Sequence, residues 1–300
     1  MKNNININNN PKSNNIWNIM KNIQTTYYYL DKFERVSENT FIENNTELTK
    51  IGNEMFDNFG LENIKINFFV DICAAPGMYS KIIFDKGQPT GIGISLPPEK
   101  GGVKFEFNDS KYKQFYKDIL DKEYKLDLPR KLDFGIASCV SYVDNIKDAH
   151  NLNMVLILTS LNLILNNLIE GGNLIINASM KNIYTCYNII YLLLKKFTKV
   201  KLWKSSTVWG TKNTFYIFCY NNTSNNTSNN TSNNTSNNTS NNTSNNIDDI
   251  KIYINEVKNN NSKFNNNFIG DTKNFEKITT MMNDIYITRI NCWLELIKNS

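Results

Sequence analysis

The stretch Asp71-Ile72-Cys73-Ala74-Ala75-Pro76-Gly77 sets one carboxylate beside a run of small residues and a proline. It follows an apolar run, Phe68 to Ile72, and precedes a segment of helical character, Met78 to Lys86. Small residues at such a turn let a ligand approach the backbone. A helix starting there presents free N–H groups toward it. In doubly wound folds ligands sit at the carboxyl ends of the strands, which is where this turn would fall. Asp71 could simply end a buried strand, but the Ala-Ala-Pro-Gly beside it favours a cofactor.

Other chemistry has little material. The only histidine is His150, and Cys73, Cys139, Cys186, Cys219 and Cys292 are scattered, with no Cys-x-x-Cys pair. A metal site is therefore not expected, and reduced thiols are. The net charge of +5 permits a nucleic-acid partner without demanding one. The polar, Asn-rich N-terminus shows no signal peptide, and the longest apolar stretches are too short and too polar to cross a membrane. A cytoplasmic or nuclear protein is expected.

The elements that would position the turn alternate. Strands are predicted at Phe68–Ile72, Thr90–Ser95, Leu132–Ala137, Asn173–Ala178, Val200–Lys204 and Phe215–Cys219, and Lys111–Phe115 reads as a short connecting segment. Helices are predicted at Met78–Lys86, Asp148–Ile169 and Tyr184–Phe197. Strands alternating with helices imply an α/β fold, with a mostly parallel sheet covered on both faces. Upstream, residues 1–15 read as a disordered Asn-rich tail and residues 16–60 as a helical extension, with Thr46 as N-cap and Gly60 at the end of its last helix. The main domain spans residues 61–220. Residues 221–246 hold six Asn-Asn-Thr-Ser copies, a polar linker with nothing to bury. Residues 247–300 regain an apolar stripe (Ile278, Met282, Ile285, Ile290, Leu294), a C-terminal helix expected to pack on the core.

With these residues in order, the chain resembles the FtsJ-like family of RNA ribose 2′-O-methyltransferases from about Lys50 to Tyr220. The family's first motif reads much like Asp-x-Cys-Ala-x-Pro-Gly-Gly. Gly91-Ile92-Gly93-Ile94-Ser95-Leu96 is similar to the second strand of the cap-methylating branch, and Gly171-Gly172-Asn173-Leu174 to a Gly-Gly turn before a later strand. The resemblance implies a Rossmann-like methyltransferase fold, S-adenosylmethionine as cofactor, and RNA, including capped mRNA, as partner. It assigns cofactor contacts to Asp71, Ala74, Ala75, Pro76, Gly77, Met78, Tyr79, Gly93, Asp118 and Ser138. Asp118 reads equally well as a solvated loop acid.

The same resemblance implies a Lys-Asp-Lys-Glu catalytic set, in which the second Lys helps to deprotonate or orient the ribose hydroxyl. The first Lys corresponds to Lys50, which without the resemblance reads as a surface lysine. The Asp, second Lys and Glu correspond to Ser138, Asn177 and Thr214, none of which can act as a base near neutral pH. Lys181 and Asp144 lie near enough in sequence to stand in. Two functions follow. One is RNA ribose methylation at reduced or no rate. The other is a catalytically inactive module that binds cofactor or RNA and scaffolds a protein partner. Lys195, Lys196, Lys199, Lys201 and Lys204 could track RNA phosphates or merely solvate a helix end and a strand face.

Overall fold

The computed structural model describes residues 45–121, 123–139, 146–180, 183–223 and 271–298. The tail at 1–15, the aromatic segment at 16–44 and the repeat region from 224 to 270 lie outside the described residues.

Twelve principal elements follow in order: α1 (Asn45–Phe59), β1 (Phe68–Ile72), α2 (Met78–Gly87), β2 (Thr90–Ser95), β3 (Tyr112–Tyr116), β4 (Leu132–Ala137), α3 (Ile146–Leu165), β5 (Leu168–Ser179), α4 (Ile183–Lys196), β6 (Phe197–Trp203), β7 (Thr214–Asn222) and α5 (Thr272–Lys298). One seven-stranded sheet has the order β3-β2-β1-β4-β5-β7-β6. The first five strands pair in parallel, whereas β7 runs antiparallel to both β5 and β6. This is a Rossmann-like α/β fold with a mostly parallel sheet, with helices before and after it.

Each face of the sheet has its own core. Phe69, Phe134, Ile136, Ile175, Tyr216 and Phe218 pack with Ile51, Met55 and Phe56 of α1 and Tyr79, Ile82 and Ile83 of α2. On the other face Val70, Ile72, Leu174, Ile176 and Ile217 meet α3, α4 and α5. From α5, Phe275, Ile278, Met282 and Ile285 are buried, and Arg289 is fully enclosed.

Several boundaries differ from the sequence expectation. The presumed connector at Lys111–Phe115 is the edge strand β3, paired with β2 from Gly91↔Tyr112 to Ser95↔Tyr116. Only Tyr112 is buried in it, so the polar composition concealed a strand that pairing alone defines. The expected helix to Ile169 stops at Leu165, and β5 begins at Leu168, which pairs with Leu132. A register shift then precedes Asn173, at the Gly-Gly turn. Strand β7 takes in Asn221 and Asn222, the first residues assigned to the linker, and Asn222 is buried. Helix α1 starts at Asn45, one residue before the proposed Thr46 cap.

Candidate functional site

The carboxyl ends of β1, β2, β3, β4 and β5 share one edge of the sheet, and the turn Cys73–Gly77 lies there between β1 and α2. Ala74 N–H donates to Ile94 O at 3.0 Å, tying the turn to β2. The Ala75–Pro76 peptide is cis. Gly77 has φ +104°, a left-handed conformation that an L side chain rarely adopts. The chain after β2 folds back onto this turn, so that the amides of Glu106 and Phe107 both donate to Pro76 O at 2.9 and 3.2 Å. Ala74 and Gly77 are buried, while Ala75, Pro76 and Met78 are half-exposed.

Asp71 lies beneath the turn with no exposed surface. Ser80 Oγ donates to its Oδ2 at 2.9 Å and lies 2.8 Å from Tyr112 Oη. Ser138 Oγ is 3.5 Å from Asp71 Oδ1 and 3.4 Å from the carbonyls of Ile72 and Cys73. Asp71 therefore organises the ends of β1, α2 and β4 from below. Burial pushes its carboxyl up to about 7, against the lowering pull of the Ser80 and Ser138 hydroxyls.

Because the raised value means that the folded chain holds a proton the unfolded chain has released, wild-type stability should fall as pH rises toward and through 7. Asp71→Asn removes this term. The stability of Asp71→Asn relative to wild type should rise by roughly 2–3 kcal/mol between pH 5 and 8, at about 1.4 kcal/mol per pKa unit. Urea midpoints of both proteins at the two pH values measure it, and a pH-independent difference would refute the assignment.

Three of the residues assigned to the cofactor also make contacts within the fold. A side chain on Gly93 would reach within 2.0 Å of Tyr112 Oη, so the glycine makes room for the phenol that meets Ser80. Tyr79 is buried, with its hydroxyl 2.8 Å from Tyr216 Oη, and so joins α2 to β7. A Cβ on Gly77 would lie 2.9 Å from Phe107 Cβ, so bulk there meets protein and not open space. Gly77→Val should consequently lower Tm and, with it, affinity for the S-adenosylmethionine that the resemblance implies, since the turn is strained by a side chain at positive φ. Calorimetric titration and melting curves test this; unchanged values of both would show that the turn tolerates the bulk.

Asp118 follows β3 at the same edge, half-buried, with Oδ1 accepting the Leu120 N–H at 2.9 Å. Cys73 and Cys139 are disulfide-bonded, with Cα atoms 4.9 Å apart. This corrects the expectation of reduced thiols for that pair, because pairing of β1 with β4 brings the two loops side by side. Cys186, Cys219 and Cys292 are free, and the described residues hold no cluster suited to a metal.

Three of the four positions assigned to catalysis, Ser138, Asn177 and Thr214, lie at this edge. Asn177 pairs with Tyr216 and Ser179 with Thr214, so Asn177 and Thr214 share the α1 side of the sheet, both half-exposed. Ser138, two residues beyond Ile136, belongs to the same side. Lys50 is exposed on α1. Its neighbours three residues before and four after, Glu47 and Glu54, share its helix face and grip the β6–β7 loop. Trp209 Nε1 donates to Glu47 at 3.0 Å, Ser205 Oγ to Glu54 at 2.6 Å, and Thr207 Oγ1 also to Glu54. Lys181 and Asp144 lie outside the described residues.

Sequence reasoning missed what braces that loop. Lys204, expected either to track RNA phosphates or to solvate a strand face, is instead buried and donates to the carbonyls of Trp209, Lys212 and Thr214 at 3.1, 2.7 and 2.8 Å. Arg289 of α5 donates through Nε to Thr211 O at 2.8 Å. Neither contact has a local signal in the sequence; the Glu47/Glu54 spacing on one face of α1 could have flagged only the contacts of α1 to Trp209 and Ser205.

The turn, its buried carboxylate and the helix start fit a cofactor carrying polar groups at the strand ends. Among solved structures the chain is similar to a ribosomal RNA methyltransferase from Plasmodium falciparum, at 17% identity and TM-score 0.45, covering 60% of this chain and 97% of that one. It is also similar to the N-methyltransferase NodS from Bradyrhizobium japonicum in complex with S-adenosyl-L-homocysteine, at 13% identity and TM-score 0.42, covering 66% of this chain and 98% of that one. No curated protein sequence matches. No described helix is long and apolar enough to cross a membrane. The sequence profile of the FtsJ-like methyltransferases matches residues 53–222, which includes the turn, β1 to β7 and every assigned site position except Lys50, and the chain therefore belongs to the FtsJ-like methyltransferase family, whose methyl donor is S-adenosylmethionine.

Proposed function

We propose that this protein holds S-adenosylmethionine at the Cys73–Gly77 turn and an RNA ribose beside Asn177 and Thr214. Methyl transfer to the 2′-hydroxyl there lacks acid–base assistance and runs by proximity alone, far below the rate of a complete site. The carrying observation is that Ser138, Asn177 and Thr214, which the resemblance matches to the family's ionisable groups, lie together at the carboxyl edge, and none of them has a group that titrates near neutral pH. The bound cofactor would supply the electrophilic methyl group. Ala74, Ala75 and Pro76 would leave room for it, Gly77 would give the turn its left-handed bend beside it, Asp71 would fix the turn from below, and Asp118 would meet the adenine at the end of β3. Lys50 is the one cation left from the catalytic set. Positioning by itself accelerates bimolecular reactions substantially, so a residual rate fits this reading.

The test is transfer of a labelled methyl group to capped and uncapped RNA, together with calorimetry of cofactor binding. Cofactor binding with slow ribose labelling is expected. Binding of cofactor and RNA without any labelling would place the protein at the scaffold end of the same reading. Absence of cofactor binding at millimolar concentration would overturn it.

A further inference from the structure

From Lys195 to Asn222 the chain carries six lysines (Lys195, Lys196, Lys199, Lys201, Lys204 and Lys212) and no Asp or Glu. The structure separates their roles. Lys196 and Lys204 are buried, and Lys204 is committed to three carbonyls. Lys195 lies over the ring of Tyr191 on α4. Lys199 and Lys201 are exposed on β6, and with Trp203 they occupy alternate positions on its α1 side, while Val200 and Leu202 turn to the other core. The Lys199 ammonium sits 5.2 Å from the centroid of the Tyr220 ring, which fixes its place on that face. The β7 residues opposite Lys199, Lys201 and Trp203 are Tyr220, Phe218 and Tyr216, all uncharged. The nearest acids on α1 are engaged: Glu54 by Ser205 and Thr207, and Asp57 by Lys86.

Strand direction gives this row an end point. Strand β7 is antiparallel to both β5 and β6, so β6 runs in the same sense as β5. The row from Lys199 through Lys201 to Trp203 therefore climbs toward the edge that carries Ser138, Ser179 and the Cys73–Gly77 turn. Residues two apart on a strand are about 6.6 Å apart, comparable to consecutive phosphates of an extended single strand.

We infer that the α1 side of β6 is a track for single-stranded RNA, on which Lys199 and Lys201 each meet one phosphate and lead the strand to the acceptor position beside Thr214. The inference rests on the RNA reading above and adds the direction of approach. Base-independent phosphate contacts of this kind set register and orientation, not sequence preference.

The experiment is fluorescence anisotropy of a labelled single-stranded RNA across a salt series, with wild type, Lys199→Gln/Lys201→Gln and Lys199→Arg/Lys201→Arg. Each lost phosphate contact flattens the slope of log K against log salt by about 0.7 for single strands, so the Gln pair should be shallower by about 1.4 and the Arg pair unchanged. Melting temperature and S-adenosylmethionine affinity should match wild type in both. Lys65→Gln/Lys111→Gln, at the opposite edge of the sheet, should leave the slope as it is. A wild-type protein that binds no RNA overturns the RNA reading and the track together. Wild-type binding with a slope that the Gln pair does not change, or that the Lys65/Lys111 pair changes equally, overturns the track alone. Binding of wild type to phosphatidylserine vesicles, lost in the Gln pair while RNA binding persists, would reassign the face to a membrane surface.

Discussion

Restoring the full ionisable set with Ser138→Asp, Asn177→Lys and Thr214→Glu should raise ribose methylation by about two to four orders of magnitude, the usual contribution of a positioned acid–base group. The geometry favours the experiment. Asn177 and Thr214 are half-exposed on the same side of adjacent strands, so the longer side chains can extend into solvent at the carboxyl edge. Ser138 already lies within 3.5 Å of Asp71, so an aspartate there introduces a second carboxylate near a buried one. Like charges disfavour joint ionisation, so part of the gain depends on the new lysine offsetting them. Single restorations should do far less than the triple, because such groups act as a unit. Rates are measured as labelled methyl incorporated into RNA under saturating cofactor. A wild type already as fast as the restored triple variant would refute the lost-set reading and send the search to Lys181 and Asp144.

Truncation before Asp271 should unfold the domain. Helix α5 buries Phe275, Ile278, Met282 and Ile285 against α4 and the sheet, and encloses Arg289 against the β6–β7 loop. Four such side chains are worth about 1.5–3 kcal/mol each as an upper estimate. Their sum is comparable to the total stability of an ordinary domain, about 5–15 kcal/mol. The truncated chain should therefore show no cooperative thermal transition. Removing residues 225–244 instead should shift Tm little, since each halving of a loop changes closure by only about 0.6 kcal/mol. Equal tolerance of the two deletions would mean that α5 contributes no net stability.

Arg289 illustrates why neither the brace nor the loop it holds could be read from the chain. An arginine on an amphipathic helix looks like a surface cation, and only packing puts it against Thr211 O. Lys204 is the same case, a lysine in a basic run that the β6–β7 loop closes around. Both are determined by contacts between residues distant in sequence or by loop geometry, which local composition does not encode.

What the sequence determined by itself is local and periodic. The Ala-Ala-Pro-Gly turn between an apolar run and a helix, and the strand–helix alternation, pointed to a mostly parallel α/β sheet and to the edge at which a ligand is expected; the FtsJ-like likeness named the cofactor. Turn chemistry and hydrophobic period act over a few residues, so they are legible without the fold. Tertiary structure alone decided that Lys111–Phe115 belongs to a strand, since edge strands are defined by their partner. It decided that Gly93 serves Tyr112 and Tyr79 serves Tyr216, since both are questions of which side chain fills a given space. It also brought Cys73 to Cys139, and Ser138, Asn177 and Thr214 to one edge, because β4, β5 and β7, far apart in the chain, are neighbours in the sheet.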